Sequence, residues 1–401
     1  MKILLAYSGG LDTSVILKWF LNKGHEVVCY IADVGQEDDF EKAKKKALAI
    51  GASKVIIDDL KEEFVKEYIF TSLKANAVYE SKYLLGTSIA RPLIAKKMVE
   101  AAEKEGIKAF AHGCTGKGND QVRFELVFYQ LVKDVVILSP WKDEEFLNKF
   151  QGRKDMIAYA QENNIPISST LKKPYSMDDN LMHISYESGI LEDPCVAPKE
   201  DMFLKTKSPQ EAPDKATNIT IEFAKGIPVK VINNDINEEI IGALKLFTYL
   251  NKIGGENAIG RDDLVESRFV GMKSRGVYET PAGTILLKAH IDLEGLTLDK
   301  EVILLKDSLM PKIAQVIYNG FWFAPEMSFL MAAINNSQEQ VNGKVHLQLY
   351  KGNIIIKGRE SPNSLYDKNI ASMDIHGNYD QKDAKGFIKL QALRLIAGNK
   401  K

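Results

Sequence analysis

Ile3-Leu4-Leu5-Ala6-Tyr7-Ser8-Gly9-Gly10-Leu11-Asp12-Thr13-Ser14 is the stretch that decides the fold. Its first five residues are a short apolar run, the pattern of a strand buried on both faces. A Gly-Gly turn follows, and Val15, Ile16, Trp19 and Phe20 then recur at helical spacing. The alternation continues outward from there. Val27–Ile31 reads as a second strand, Asp38–Ile50 as a helix with Gly51 just past its end, and Lys54–Asp58 as a third strand. A helical stretch over Leu60–Leu73 and a longer helix over Pro92–Glu105 come next, the latter placed by proline's fitness for a first helical turn. Ala109–His112 and Val135–Leu138 complete the strands. Strands alternating with helices require crossover connections, so residues 1–167 are expected to form a doubly wound α/β domain on a parallel sheet.

Beyond Ile167 the pattern changes. Ser168–Asp214 is rich in Ser, Pro, Asp and Lys and reads as extended loops that join domains or complete a site. An α+β domain is expected over residues 168–360, with strands at Ile219–Phe223 and Val229–Ile232, a helix over Ile236–Ile253, and a hairpin of Val345–Leu349 and Ile354–Lys357. Residues 361–401 form an arm whose helix, about Gln381–Ile396, carries Phe387, Ile388, Leu390, Leu393, Leu395 and Ile396. So apolar a terminal helix packs either on its own domain or on another subunit.

Composition narrows the function classes. The 401 residues carry a formal net charge of −1, which argues against a dedicated nucleic-acid binder. Cys29, Cys114 and Cys195 lie far apart without zinc-ligand spacing, as expected of thiols in a reducing compartment. No apolar run is long enough to span a bilayer and no signal peptide is visible, so a soluble, cytoplasmic protein without membrane partners is expected.

The glycine loop carries the first chemistry. A strand, a Gly-Gly turn and a helix N-terminus present free backbone N–H groups and the positive end of a helix dipole. Glycine lets backbone approach phosphate oxygens closely, and Ser8, Thr13 and Ser14 add hydroxyl donors. The Walker A lysine is absent, as is the Gly-x-Gly-x-x-Gly fingerprint. A plain βα turn with Asp12 or Thr13 as helix cap is the structural alternative. The second motif is His112-Gly113-Cys114-Thr115-Gly116-Lys117-Gly118-Asn119-Asp120-Gln121-Val122-Arg123-Phe124-Glu125. It leaves a strand for a helix, and Asn119 and Arg123, four residues apart, share a helix face. Here too capping by Asn119 or Asp120 is an alternative reading. His112 and His183 are read as structural histidines beside the site.

The first loop resembles that of the ATP pyrophosphatases, a group that includes asparagine, GMP and NAD synthetases and tRNA-thiolating enzymes. The second motif is similar to the argininosuccinate synthetase family. So are Tyr83–Pro92, Lys173–Leu181, His183–Glu187 and Gly260–Pro281, a resemblance covering nearly the whole chain. It implies an N-type ATP pyrophosphatase domain, a synthetase and multimerisation domain, and a C-terminal oligomerisation helix in a homotetramer. It implies that Ala6, Tyr7, Ser8, Gly9, Gly10, Leu11, Asp12, Thr13, Ser14, Ala32 and Gly113 hold ATP, accompanied by Mg2+ without a protein metal cage. Tyr83, Ser88, Asn119, Arg123, Ser176, Ser185, Glu266 and Tyr278 correspond to citrulline-contacting positions, and Thr115, Asn119 and Asp120 to those that hold aspartate. Asp12 and Asp120 are the candidate catalytic carboxylates, Asp120 for handling the amine proton. The implied activity is a ligase in arginine biosynthesis that adenylates citrulline and joins it to aspartate. A sibling ligase would lack the Thr115–Arg123 and Glu266–Tyr278 blocks. A nucleotide-binding regulatory module would bind ATP without turnover.

Overall fold

The computed structural model describes residues 1–166, 175–373 and 380–399. Strands β1 (Lys2–Ala6), β2 (Glu26–Asp33), β3 (Lys54–Asp59), β4 (Ala109–Ala111) and β5 (Val136–Leu138) form one parallel sheet in the order β3-β2-β1-β4-β5. The order reverses direction beside β1, the position where open α/β sheets bind ligands at the carboxyl ends of their strands. Both faces are covered, as the unbroken apolar runs of β1 and β2 require. On one face Val15, Ile16, Trp19 and Phe20 of the helix Leu11–Asn22 pack with Ile3 and Leu5. On the other, Leu4 and Tyr30 join Ile89, Leu93 and Phe110 in a core continuous with that of the second half.

The helix over Phe40–Ile50 ends at Gly51, whose φ of +121° only glycine adopts without strain. The stretch 61–74 is helical as expected, with a π-helical middle over Phe64–Ile69. The long helix differs from the expectation. It spans Gly86–Glu105, so Pro92 sits inside it rather than in the first turn. Tertiary contacts hold the early turns: the Asn180 side chain donates to the Gly86 carbonyl at 3.3 Å, and the Gly86 α-carbon abuts the His183 ring. These contacts outweigh the hydrogen bond that a mid-helix proline removes.

Two antiparallel sheets make up the remainder. The five-stranded one runs β10 (Glu238–Ile241), β9 (Ile227–Asn233), β8 (Thr217–Ala224), β13 (Gly343–Tyr350) and β14 (Asn353–Glu360). The expected helix from Ile236 begins only at Ala243, because Glu238–Ile241 continue the meander by pairing with β9. The four-stranded sheet runs β11 (Arg261–Ser267), β12 (Lys273–Glu279), β7 (Ile184–Glu187) and β6 (Ser176–Asp179). Two of its strands thus arise from the segment expected to be loops. The turn between β6 and β7 also docks the two halves: Leu181 N–H donates to the Val34 carbonyl at 2.9 Å. The terminal helix Asp383–Gly398 lies apart from both sheets, with none of its residues buried.

Candidate functional site

Two cavities meet at the carboxyl ends of β1 and β4. The larger, about 1370 Å³, is lined by Ala6, Tyr7, Ser8, Gly9 and Thr13 together with Ala32 and Gly113. Gly9 has φ +76°, and a Cβ there would stand 2.9 Å from that of Ala43 on the neighbouring helix, so glycine is required twice over. Gly10 precedes the helix Leu11–Asn22 and supplies no side-chain cap, which leaves the first turn's N–H groups for a ligand. Neither alternative capping residue, Asp12 or Thr13, caps that helix. Lys46 reaches the loop from outside, donating to the Gly9 carbonyl at 2.9 Å.

The loop's hydroxyls divide into two roles. Ser8 Oγ lies 3.1 Å from Thr13 Oγ1, and both residues line the cavity. Ser14 is fully buried, donates to the Gly10 carbonyl at 2.6 Å and lies 3.0 Å from the Tyr7 hydroxyl, so it shapes the turn from behind. Gly10, Leu11 and Asp12 likewise fall outside the cavity lining. Burial raises the Asp12 carboxyl above its ordinary range, with the Arg153 guanidinium pulling the other way. Asp12, a candidate catalytic carboxylate, lines neither cavity.

The smaller cavity, about 300 Å³, has the four-stranded sheet as its floor. Tyr278 pairs with Ser185, Ser185 with Asp178, and Ser176 with Glu187. Alternate residues of a strand share a face, so Ser176, Asp178, Ser185, Glu187, Glu266 and Tyr278 all emerge on one side. Each of them lines the cavity. The opposite wall comes from Thr115, Asn119, Asp120 and Arg123, at the start of the helix Asp120–Leu131, and from Tyr83. Asn119 does not cap that helix; its Oδ1 accepts from Phe269 N–H at 3.0 Å and ties the loop after β11 to the site.

Electrostatics assign these groups definite states. Asp120 accepts from Arg91 Nε at 3.0 Å and from Arg123 Nη1 at 2.8 Å. Burial opposes ionisation, but the two guanidinium groups overcome it and hold the carboxyl below its usual range. It is therefore a poor proton acceptor and a good partner for an ammonium group, which turns its expected role from base toward anchor. Arg123 donates from Nε to the Tyr318 carbonyl at 2.9 Å, and its Nη2 has no hydrogen-bond partner among the described residues. Glu266 accepts from the Tyr318 hydroxyl at 2.8 Å, and burial pushes its carboxyl up to about 7, with Glu187 adding like charge. His183 is fully buried and held neutral by that burial, with a pKa of about 3, its ring stacked on Tyr278 at 5.6 Å. His112 is buried against Glu125 and Ser139 and acts as a brace for the glycine loop.

The two halves of this site coincide with two family models. Residues 2–166 match the arginosuccinate synthase N-terminal HUP domain, and residues 175–397 match the arginosuccinate synthase C-terminal domain. The chain is 59% identical over 394 residues to the argininosuccinate synthase of Thermotoga sp. (strain RQ2), covering 98% of this chain and 96% of that one. The Danio rerio argininosuccinate synthase is 53% identical over 400 residues, covering 99% and 96%, and that of Bos taurus 51% over 394 residues, covering 98% and 96%. The chain belongs to the argininosuccinate synthase family.

Within that family frame the expected residues gather well. Of the citrulline-contacting candidates, seven line the small cavity: Tyr83, Asn119, Arg123, Ser176, Ser185, Glu266 and Tyr278. Ser88 stands behind, fully buried, with its Oγ lacking an aligned hydrogen-bond partner and exerting its influence on the Tyr83 phenol. Arg91, Asp178 and Glu187, none of them a candidate from the sequence, also line the small cavity, and all three fall in stretches that carry the resemblance. Their signal was positional: Asp178 and Glu187 lie at even spacing from Ser176 and Ser185 on two four-residue strands. Lys205, bonded to Asp179 at 2.6 Å, and Tyr318 carried no local signal at all. Among the described residues no group of three or more His, Cys, Asp or Glu is arranged to hold a metal, and no helix is long and apolar enough to cross a membrane.

Proposed function

We propose that this chain joins L-citrulline to L-aspartate at the expense of ATP, giving argininosuccinate, AMP and pyrophosphate. One observation carries the reading: the phosphate-loop cavity and the polar amino-acid cavity share a wall of Arg91, Gly113, Cys114, Asp120, Met177 and Asp178. A substrate in the small cavity therefore reaches the α-phosphate end of a nucleotide in the large one.

Chemistry follows from that adjacency. The citrulline ureido oxygen forms a bond to the α-phosphorus as the bond to the β-phosphate breaks, and pyrophosphate leaves with the electron pair. The aspartate ammonium gives up a proton to solvent, the free amine bonds to the activated ureido carbon, and AMP departs with the C–O electrons. Positioning and fixed charge do the catalytic work, without a covalent enzyme intermediate. Arg123 holds the citrulline carboxylate and ionised Glu266 its ammonium, with Tyr83, Ser88, Asn119, Ser176, Ser185 and Tyr278 completing the contacts. Thr115, Asn119 and Asp120 hold aspartate. Mg2+ accompanying ATP would offset phosphate charge.

The exposed apolar helix Asp383–Gly398 fits an arm that packs on other subunits of a cytoplasmic homotetramer. Its Phe387, Ile388, Leu390, Leu393, Leu395 and Ile396 are each more than half exposed, an unusual surface for an isolated chain. Domain limits of 1–167, 168–360 and 361–401 complete the proposal. Mass spectrometry of a reaction containing ATP, citrulline and aspartate tests the activity. Argininosuccinate and AMP in equal amounts are expected; ADP as the nucleotide product would contradict the proposal.

A further inference from the structure

Arg91 lies on the wall that the two cavities share. It lies in the second turn of the helix Gly86–Glu105 and lines both cavities. Nη2 sits 2.7 Å from Asp178 Oδ2 and 2.9 Å from Asp120 Oδ2, while Nε donates to Asp120 Oδ2 at 3.0 Å. Asp178 is in turn fixed by Thr87, whose hydroxyl donates to Oδ2 at 2.8 Å. The remaining terminal nitrogen, Nη1, bonds to nothing among the described residues. A guanidinium held rigidly by two carboxylates, with one nitrogen left over, is a preset donor.

Charge balance points the same way. Asp120 and Asp178 contribute two negative charges to this corner, and Arg91 and Arg123 two positive ones. Without Arg91, Asp178 would lose its ion-pair partner and Asp120 one of its two, leaving net negative charge beside the nucleotide cavity, which opposes phosphate binding. The glycine loop and Lys46, which donates to the Gly9 carbonyl at 2.9 Å, line the large cavity but not the small one. Of the cations that line the large cavity, Arg91 is the one that also lines the small cavity, so it stands where a nucleotide and an amino-acid substrate would meet.

We propose that Arg91 is a catalytic residue of the adenylation step, donating from Nη1 to the non-bridging oxygens of the α-phosphate as the ureido oxygen adds and pyrophosphate leaves. This rests on the function proposed above. Its carboxylate partners are positioning residues: Asp178 aims the guanidinium, and Asp120 links it to the aspartate site.

The test uses the full chain and isotopic exchange between pyrophosphate and ATP, with citrulline present and aspartate omitted. This reads adenylation alone. Arg91→Lys keeps the charge but loses the planar fork. It should slow exchange about a hundredfold, the order seen for loss of one transition-state donor, with ATP and citrulline KM values within about threefold of the parent. Guanidinium added to Arg91→Ala should restore exchange by about tenfold, a response that a purely structural role would not give. Exchange by Arg91→Lys at the parent rate, or a loss confined to the aspartate-dependent step, overturns the inference. So does a folded Arg91→Ala, by its melting curve, that ignores guanidinium. A parent chain that shows no citrulline-dependent exchange overturns the proposed reaction itself, and that result is visible before any variant is made.

Discussion

The Tyr318 hydroxyl donates to Glu266 Oε1 at 2.8 Å, joining the end of the helix Lys300–Tyr318 to the outermost strand of the site sheet. Tyr318 also receives the Arg123 Nε–H on its carbonyl at 2.9 Å and stacks on Tyr79 at 3.7 Å. One residue thus sets both ends of the amino-acid cavity, its anionic group and its cationic one.

A pH dependence of citrulline binding follows from Glu266. Burial lifts its carboxyl to about 7, so it is half protonated near neutrality and holds an ammonium by charge only above that point. Citrulline KM should rise about tenfold between pH 8 and pH 6, with ATP KM moving little. Glu266→Gln should give a high KM that no longer varies over this range. For folding the sign is opposite. The unfolded carboxyl ionises near its ordinary 4.5 and the folded one near 7, so Glu266 weakens the fold as pH rises through that window. A citrulline KM equal at the two pH values would contradict its assignment.

Arg123→Ala should raise citrulline KM about ten- to a hundredfold, the equivalent of one charged hydrogen-bond pair, with a far smaller effect on ATP. Steady-state kinetics with each substrate varied in turn checks this. Equal effects on the two would place Arg123 outside the citrulline site.

Gly86→Ala tests the packing beneath the cavities. A Cβ there would lie 2.5 Å from the His183 ring, which is itself fully buried and stacked on Tyr278. The ring cannot yield without moving the tyrosine, so a loss of about 1–3 kcal/mol is expected from overpacking. The urea midpoint of the variant measures it; an unchanged midpoint would show that the ring can shift freely.

Truncation after residue 378 removes the helix Asp383–Gly398 without touching any of the three sheets. Light scattering should report a smaller assembly for the truncated chain. Retention of the full-length assembly would rule out the arm.

Much of this molecule is legible in its sequence, for definite physical reasons. The parallel sheet announces itself because strands buried on both faces, such as Ile3–Tyr7, are unbroken apolar runs. The glycine loops are legible because close ligand approach and positive φ restrict the residue type, as at Gly9. The four-stranded sheet was hidden in part by the site it builds. Ser176–Asp179 carries polar residues on its cavity face, so its alternation imitates a loop, and four residues are too few to correct the impression. Pro92 misplaced a helix start because contacts from Asn180 and His183, far off in sequence, override local preference. Arg91 lay within a quoted stretch, yet its role depends on Asp120 and Asp178, brought together only by the fold.

The central claim is that ATP cleavage in this chain is coupled to citrulline in the adjoining cavity. Pyrophosphate release, measured with all three substrates and then with each omitted, tests it most directly. The account predicts release that requires ATP and citrulline, with sustained turnover only when aspartate is added. Release that proceeds equally well without citrulline would contradict it.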